Sequence, residues 1–377
     1  RGGENWQCST SFISLGQSGD CSTGTLGLTG SGGIVGVMDS GLDVAQLCST
    51  LSICTAANGG IHSDFAGRIV NVENSAACDS ADDPGDPRGH GTHVAGSVLG
   101  DGSAGDLDGN PHAGMAPGAS LYMQSMYCDG VWGESFYTPS DYDEIFGPAY
   151  TAGVRVHTNS WGQGPILAYP NSYDRASPYL LAALKADQSA YEYDDMIILY
   201  SMGNDGYDSE GPCEPDECIP ISPDGEINLG WMNQQATAKN ILSIGASESF
   251  RPDVSGQYGN VPVAGTTFWS ADPIHSDYIS WHIEGVGAFS NRGPTYDNRI
   301  KPDLVAPGTD IVSTRSFFGD PDDPDASCVG NTALGNYCYS TGTSMATPIT
   351  AGTSALILEH LNDWTDPYTN SGDPASA

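Results

Sequence analysis

Three short segments, far apart in the chain, hold the residue types that nucleophilic hydrolysis needs. Asp39 ends an apolar run, His90 opens a segment rich in small residues, and Ser344 stands at the expected start of a helix. A hydroxyl nucleophile needs a base of near-neutral pKa to take its proton, and a carboxylate that holds this base in one tautomer. The three residues together predict a catalytic triad.

Each residue of the triad also has an ordinary structural explanation. An aspartate after a strand often forms a turn, and a serine at a helix start is a common N-cap. His90 and His93 stand three residues apart and suggest a pair of metal ligands as an alternative, but the glutamate and the spacing of the HExxH motif are absent. The hydrolytic interpretation therefore depends on the combination of the three residues.

A fourth residue extends the predicted site. The apolar run at 196–200 leads into a turn that presents Asn204. A side-chain amide can donate a hydrogen bond to the oxyanion of a tetrahedral intermediate, and the free N–H groups at a helix start suit the same charge. Asn204 is therefore a candidate for an oxyanion hole.

Short apolar runs alternate with helical stretches, which predicts an α/β fold with a doubly wound, mostly parallel central sheet and helices on both faces. The expected strands are 33–39, 67–72, 119–125, 154–158, 196–201, 241–246 and 309–313, and the expected helices are 89–100, 141–153, 176–191 and 343–361. We expect one catalytic domain over residues 1–377, with a surface insertion at about 207–235 and a loose tail after about 362.

The motifs around the triad resemble those of a known family. The segments Met38–Gly41, His90–Gly96 and Gly342–Pro348 closely match the three signatures of the subtilisin-like serine proteases, and the similarity runs from about residue 33 to residue 360. The resemblance implies a three-layer sandwich fold and a serine endopeptidase with its own prodomain before maturation. It also implies that the four residues named above form its triad and its oxyanion hole.

The same resemblance implies where a substrate would bind. Ser160, Trp161 and Gly162 would form an edge strand that pairs with the substrate backbone, and such main-chain bonds are independent of substrate sequence. This favours broad specificity. Gly203 would line a small, uncharged S1 wall, so we expect an apolar or aromatic P1 residue. Trp161 has a core aromatic role as its alternative.

Further segments resemble the branch of the family that contains oxidatively stable alkaline proteases. They are Val156–Gly162, Phe289–Pro294, Arg299–Asp303 and Ala306–Gly308. That branch usually continues past the catalytic domain into a β-rich module, whereas this chain stops near residue 377. We therefore expect either a processed product or a truncated one.

Calcium is the cofactor that the family resemblance implies, and carboxylate oxygens in acidic loops suit this ion. The best local candidate is the loop that holds Asp106, Asp108 and Asn110, after the expected His90 helix. The acidic loops 82–86 and 320–323 are alternatives. A solvated acidic loop without any ion is the other explanation of the same residues.

The charge balance restricts the partners of the chain. It holds 47 acidic and 12 basic residues, a net charge of −35, which repels phosphate backbones and anionic membranes. No apolar stretch reaches the ~18–20 residues of a membrane span. The expected partners are protein or peptide substrates, without nucleic acid or membrane, and the expected state is a monomer.

The ten cysteines indicate an oxidising compartment, because their irregular spacing does not fit a zinc site. We expect disulfide bonds, with the local pairs 213–218 and 328–338 as the simplest closures. The N-terminus is not a signal peptide, so we expect a mature, secreted, extracellular protein.

Two other function classes fit the same sequence less well. A non-catalytic binding module on the same fold would be expected to lack a catalytic residue, and here all four positions are filled. An esterase with the same triad is a second alternative, but Ser344 lies outside a Gly-x-Ser-x-Gly nucleophile elbow.

We predict that salt stabilises the folded protein. Self-repulsion at a net charge of −35 opposes compaction, and at 1 M salt the screening length falls to about 3 Å. Thermal unfolding followed by circular dichroism should give a higher Tm in molar NaCl than at low ionic strength. Such stabilisation would fit a protein that works in saline surroundings, whereas an ordinary acidic exoprotein is the alternative. A Tm that falls with NaCl would contradict the saline hypothesis.

Overall fold

The computed structural model describes residues 27–43, 61–74, 85–130, 133–136, 138–164, 177–208, 213–214, 217–218, 223–260, 268–317 and 334–363. The strands in these stretches are β1 Ile34–Asp39, β2 Ile69–Asn74, β3 Ser120–Ser125, β4 Tyr127–Gly130, β5 Gly133–Phe136, β6 Val156–Asn159, β7 Ile197–Ser201, β8 Cys213–Glu214, β9 Glu217–Cys218, β10 Leu242–Ser247, β11 Leu304–Pro307, β12 Ile311–Thr314 and β13 Tyr337–Ser340. The helices are α1 His90–Leu99, α2 Asp143–Thr151, α3 Leu181–Glu192 and α4 Thr343–Asp363, with 3-10 turns at Ser63–Phe65, Gln235–Thr237 and Tyr258–Asn260.

Seven strands form one parallel sheet in the order β11-β10-β7-β6-β1-β3-β2. Every neighbouring pair in it runs parallel, including the central pairs β6–β1 and β1–β3. Antiparallel hairpins β4–β5, β8–β9 and β12–β13 lie outside this sheet. The predicted doubly wound α/β fold is confirmed.

Helices cover both faces of the sheet, and the side chains of β1 show why. Val35 and Val37 join the core that contains α1 and α4, whereas Met38 joins the core that contains α2 and α3. Successive residues of a strand point to opposite faces, so a strand covered on both sides is apolar throughout. Burial of each valine side chain contributes about 1.5–3 kcal/mol.

Close approach between α1 and α4 depends on glycine. A Cβ atom on Gly352 of α4 would lie 2.6 Å from the Cβ of Met115 and 2.8 Å from the carbonyl oxygen of Val98 in α1. On the opposite side of α1, a Cβ on Gly96 would overlap the side chain of Thr314 in β12. These contacts fix the distance between the helices that begin at His90 and at Thr343.

The edge of the sheet differs from the expected order of strands. The segment expected as a strand at 309–313 forms β12 of a hairpin, and the edge strand of the sheet is β11. The side chains of Leu304 and Val305 in β11 are partly exposed, Pro302 precedes the strand, and Pro307 is its last residue. Prolines and exposed positions are typical of edge strands, and they remove the apolar run that identifies a central strand.

The other expected strands and helices lie within a few residues of the observed ones, except that α3 begins at Leu181 rather than at 176. Pro178 disfavours helical backbone in Ser177, and the N-cap residue Leu180 is itself extended, with φ of −110° and ψ of −173°. Among the described helices, none has the length and apolar character that crossing a membrane requires.

The expected insertion at about 207–235 is described only in part. Cys213 and Cys218 lie opposite each other in β8–β9, a register compatible with the expected disulfide, which stays a prediction. Met232 and Gln235 are buried, so the surface loop ends before them. The expected tail after 362 lies outside the described residues from residue 364 onward. In the other expected pair, Cys328 also lies outside them. Cys338 is disulfide-bonded, and its pairing with Cys328 stays a prediction.

We predict that Gly352→Ala lowers the free energy of unfolding by about 1–3 kcal/mol, because the added methyl group meets atoms of neighbouring elements that cannot easily move. This loss exceeds the gain of about 1 kcal/mol in helix propensity. The matched control is Gly164→Ala, whose added methyl group meets no atom within 4 Å. Urea unfolding of both variants makes the comparison, and a Gly352→Ala protein as stable as the control would contradict the close packing.

Candidate active site

Three adjacent strands of the sheet bring polar residues to one edge. Asp39 ends β1, Ser160 follows β6, and Asn204 follows β7. The carboxyl ends of parallel strands meet on the same side of a sheet, where ligands bind in open α/β folds. The first turns of α1 and α4, which carry His90 and Ser344, are hydrogen-bonded to this same edge.

Asp39 and His90 form a direct pair. The Nδ1 of His90 lies 2.6 Å from Oδ1 of Asp39, and the backbone N–H of Ser40 donates to the same oxygen at 2.8 Å. Burial lowers the pKa of His90, but the charge of Asp39, its hydrogen bond and the charge of Asp86 outweigh that effect and raise it. The imidazole is therefore held in one orientation, with Nε2 left for a second partner.

The N–H groups at the start of α1 donate their hydrogen bonds to acceptors outside the helix. The N-cap is Gly89, with φ of 73° and no side chain to cap the helix. The fully buried Asp86 takes this role by accepting from the N–H of Gly89 at 2.8 Å, the N–H of Thr92 at 2.7 Å and the hydroxyl of Ser40 at 2.7 Å. Burial raises the pKa of Asp86 to about 6, although bonds from Thr92 and Ser40 oppose the shift.

Ser344 is joined to the segment that follows β6. Its hydroxyl donates to the carbonyl oxygen of Ser160 at 3.1 Å, and the hydroxyl of Ser160 donates to the carbonyl oxygen of Ser344 at 2.9 Å. No hydrogen bond joins Ser344 to His90 in the described structure. In this arrangement the serine hydroxyl is bonded to Ser160 and not to the imidazole.

Asn204 is oriented by the first turn of α4. Its Oδ1 accepts from the N–H of Thr343 at 2.9 Å and from the hydroxyl of Thr343 at 3.0 Å. Because the carbonyl end of the amide is engaged, the exposed NH₂ end is free to donate beside Ser344. The turn before Asn204 needs glycine, since Gly203 has φ of 100° and a Cβ there would overlap the side chain of Asn291.

The proposed substrate strand lies beside the nucleophile, as the bonds of Ser160 show. Trp161 packs edge-on against Tyr142 and Tyr200, with ring centroids 6.3 and 5.2 Å away, so it has a role in the core as well. Asn233 lies against both Gly162 and Gly203, where a Cβ on Gly162 would be 2.6 Å from its Nδ2. The side chains next to Gly203 are thus the polar amides of Asn233 and Asn291.

Sequence reasoning missed several residues that hold this arrangement. Asn291 lies in Phe289–Pro294, a segment whose sequence indicates only similarity to a branch of the family. Its Nδ2 nevertheless donates to the carbonyl of Met202, and its Oδ1 accepts from the N–H of Asp205. Asp86 was considered only as an alternative calcium ligand. The signal that could have found it is its place before a helix whose own N-cap position is a glycine.

His93 belongs to the core and not to a metal site. Its side chain is completely buried, and its Nε2 lies 3.0 Å from the carbonyl oxygen of Ile311. Burial lowers the pKa of His93 to about 4 although the hydrogen bond to the carbonyl of Ile311 opposes the shift, and the ring is therefore neutral at neutral pH. The alternative of a His90–His93 metal pair is therefore not supported.

In the loop that is the candidate calcium site, the Asp106 carboxylate is hydrogen-bonded to groups of the same loop. Oδ1 of Asp106 accepts from the N–H groups of Asp108 and Asn110 at 2.9 and 2.8 Å, and Oδ2 lies 3.1 Å from Nε2 of His112. No group of three or more His, Cys, Asp or Glu residues in the described stretches has an arrangement that could hold a metal ion. Asp106, Asp108 and Asn110 as they stand do not fit a calcium ion.

The two alternative acidic loops give no better support. In the first, Asp86 is committed to the start of α1, while residues 82 and 83 lie outside the described part of the chain. Residues 320–323 also lie outside it.

Comparisons with known proteins agree with this fold. A profile of the Subtilase family (Peptidase_S8) matches residues 30–371. Serine protease AprX of Bacillus subtilis (strain 168) is 26% identical over 347 residues, which are 90% of this chain and 59% of AprX. The serine protease/ABC transporter B family protein tagD of Dictyostelium discoideum is 28% identical over 321 residues, 73% of this chain and 16% of that protein.

A solved structure, that of Sphericase, aligns with 97% of this chain and 87% of its own, with a TM-score of 0.53 and 20% identity. The fold is thus that of a subtilisin-like serine peptidase. The chain belongs to the Subtilase family, since the family profile covers most of its length. It spans 59% or less of the two curated relatives named above.

We predict that the pH dependence of kcat/KM reports the raised pKa of His90. Neutral imidazole is the active form, so activity should rise with pH only above the ordinary histidine value of about 6.5. Asp39→Asn removes the charge that raises this pKa, so the acid limb should move to lower pH. Because the asparagine also favours the wrong tautomer, kcat should fall by about 10⁴-fold, the cost of this change in another triad protease. An Asp39→Asn protein with an unchanged acid limb would contradict the pairing.

Proposed function

We propose that the protein is a secreted serine endopeptidase that cleaves peptide bonds through an acyl-enzyme on Ser344. The observation that carries the proposal is the 2.6 Å bond between Asp39 and His90 at the sheet edge that also holds Ser344 and Asn204. Subtilisin-like serine peptidase activity follows from the family; the residue roles, the specificity and the location are proposals.

The first step is attack on the scissile carbonyl. The Ser344 hydroxyl leaves the Ser160 carbonyl and donates to Nε2 of His90, which takes the proton as the oxygen attacks the carbonyl carbon. His90 becomes an imidazolium, whose charge the Asp39 carboxylate stabilises at Nδ1. The buried pair thus supplies electrostatic stabilisation at the moment when positive charge develops.

The negative charge of the tetrahedral intermediate falls on the former carbonyl oxygen. The NH₂ group of Asn204 and the backbone N–H of Ser344 would donate to it. The bonds from Thr343 support this role, because they hold the amide by its oxygen and leave its nitrogen toward the site. Donors that are already in place need no reorganisation during the reaction.

Collapse of the intermediate releases the amine and leaves the acyl-enzyme. His90 gives its proton to the leaving nitrogen as the C–N bond breaks, and the acyl group stays on Ser344. Water then attacks the ester, with His90 as general base, and its proton returns to the Ser344 oxygen as the acid product leaves. Atoms and charges are restored in one cycle.

Substrate would bind along Ser160–Gly162 by main-chain hydrogen bonds, which supports broad specificity. The uncharged wall at Gly203 supports an apolar or aromatic P1 residue, although the neighbouring amides of Asn233 and Asn291 make the wall polar. Cleavage-site profiling on a peptide library tests this preference, and dominant cleavage after charged residues would contradict it.

The proposal also covers the location, the partners and the subfamily. The cysteine count supports secretion, and the net charge of −35 supports protein substrates rather than nucleic acid or anionic membranes. A prodomain, structural calcium, a monomeric state and the branch of oxidatively stable proteases stay implications of the resemblance. Met345 is almost fully buried beside Ser344, which supports slow oxidation by peroxide.

We predict that Ser344→Ala abolishes casein hydrolysis and labelling by a serine-directed phosphonylating reagent, because the nucleophilic oxygen is gone. The wild-type protein should carry one label, on Ser344, found by mass spectrometry of its peptides. Residual hydrolysis at the wild-type rate in Ser344→Ala would reject the mechanism. An inactive but folded wild-type protein would favour the non-catalytic binding module instead.

We also predict that Asn204→Ala lowers kcat by about 10²–10³-fold, with little change in KM, because the amide acts only on the oxyanion. The matched control is Asn260→Ala, which removes an exposed amide bonded to Gln257. Steady-state kinetics on one peptide substrate compare the two variants. Equal kcat values in Asn204→Ala and wild type would reject the assigned role.

A further inference from the structure

We propose that Ser40 and Asp86 form a positioning bridge, defined by the hydrogen bond between their side chains, that fixes the Asp39 carboxylate relative to His90 during catalysis. The proposal rests on the triad assigned above and adds two positioning residues to it. Neither residue would touch the substrate.

The bridge connects the strand that carries the acid with the helix that carries the base. Ser40 directly follows Asp39, and its hydroxyl donates to Oδ1 of Asp86 at 2.7 Å while it accepts from the N–H of Gly91 at 2.8 Å. Gly91 in turn directly follows His90. A single buried hydroxyl thus links the neighbours of both members of the Asp39–His90 pair.

The helix start cannot supply these bonds itself. With Gly89 at the N-cap, α1 has no side chain at its own N-cap to accept its free N–H groups. The bonds come from Ser40 and Asp86, so the position of the helix is set by the end of β1 rather than by the helix. Movement of His90 along its helix axis would break the bonds to Gly91 and Thr92.

A carboxylate suits this place better than an amide. Three donors converge on Asp86, namely two backbone N–H groups and the Ser40 hydroxyl, and a carboxylate accepts from all of them. An asparagine would turn an N–H toward one of these donors. The negative charge also lies at the positive end of the α1 dipole.

The charge of Asp86, like that of Asp39, affects the titration of His90. The titratable groups that influence His90 in the described structure are Asp39, Asp86 and His93, and both carboxylates raise the pKa of His90. Loss of the bridge should therefore shift the acid limb of kcat/KM to lower pH, because the base would lose part of its pairing with Asp39.

Ser40→Ala is the direct test, since it removes the link and keeps the Asp86 side chain, with its bonds from Gly89 and Thr92. We expect kcat to fall by about 10²-fold, the scale of a 1 Å misplacement in an active site, with KM changed less than about twofold. We also expect the acid limb of kcat/KM to move to lower pH. Asp86→Asn should show the same changes, with a larger shift of the limb.

Asp64→Asn is the matched control. Asp64 is equally buried and also accepts two backbone N–H bonds, from Gly102 and Ala104, and a hydroxyl bond from Tyr337, but it contacts neither Asp39 nor His90. It should lower Tm while kcat and the acid limb stay at wild-type values. If Ser40→Ala lowers only Tm, as this control does, the bridge is merely structural and the proposal is wrong.

Ser344→Ala, assayed in parallel, separates a failure of the proposed triad from a failure of the proposed bridge. If Ser344→Ala keeps wild-type activity, the triad itself is wrong. If Ser344→Ala is inactive while Ser40→Ala keeps the kcat and acid limb of wild type, the triad stands and the bridge alone is overturned. A loss of kcat in Ser40→Ala together with the shifted limb supports the bridge.

Discussion

The buried charge of Asp39 is the constraint on which the site depends. Only 3% of the residue is exposed, and an ion removed from water costs several kcal/mol unless hydrogen bonds and an opposite charge offset the cost. Oδ1 has the Ser40 N–H and His90 as partners, while Oδ2 is buried without a hydrogen-bond partner in the described residues. His90 is therefore the side-chain partner of this carboxylate, and the imidazolium that the proposed mechanism forms would place an opposite charge beside it.

In both helices of the site, N–H groups of the first turn donate hydrogen bonds to side chains that follow strands of the sheet. The first turn of α1 is bonded to Ser40 after β1, and the first turn of α4 is bonded to Asn204 after β7. Helix starts leave N–H groups without partners, and here the sheet edge satisfies some of them. Each capping contact therefore also sets the position of a functional side chain. Close packing of α1 on α4 at Gly352 fixes the remaining distance between the two starts.

The sequence was sufficient for the parts of the molecule that follow from local patterns. Apolar runs identified the parallel sheet and the helices that cover it, and the motifs predicted the four residues that lie at its edge. The edge strand β11 was missed because its exposed leucine and valine and its prolines lack an apolar pattern. Asp86 was missed as a helix cap although two of its donors, Gly89 and Thr92, are local; only its third donor, Ser40, is brought to it by folding. The loop at Asp106 shows what acidic composition leaves undecided, namely whether carboxylates face an ion or the backbone N–H groups of their own loop.

The most direct test of the account is a crystal structure of the protein after reaction with a serine-directed phosphonylating reagent. The phosphorus should be bonded to Oγ of Ser344, with one phosphoryl oxygen within hydrogen-bond distance of both Nδ2 of Asn204 and the Ser344 N–H. The imidazole of His90 should keep its bond to Asp39. A phosphoryl group on another residue, or one on Ser344 that points away from Asn204, would contradict the proposed geometry.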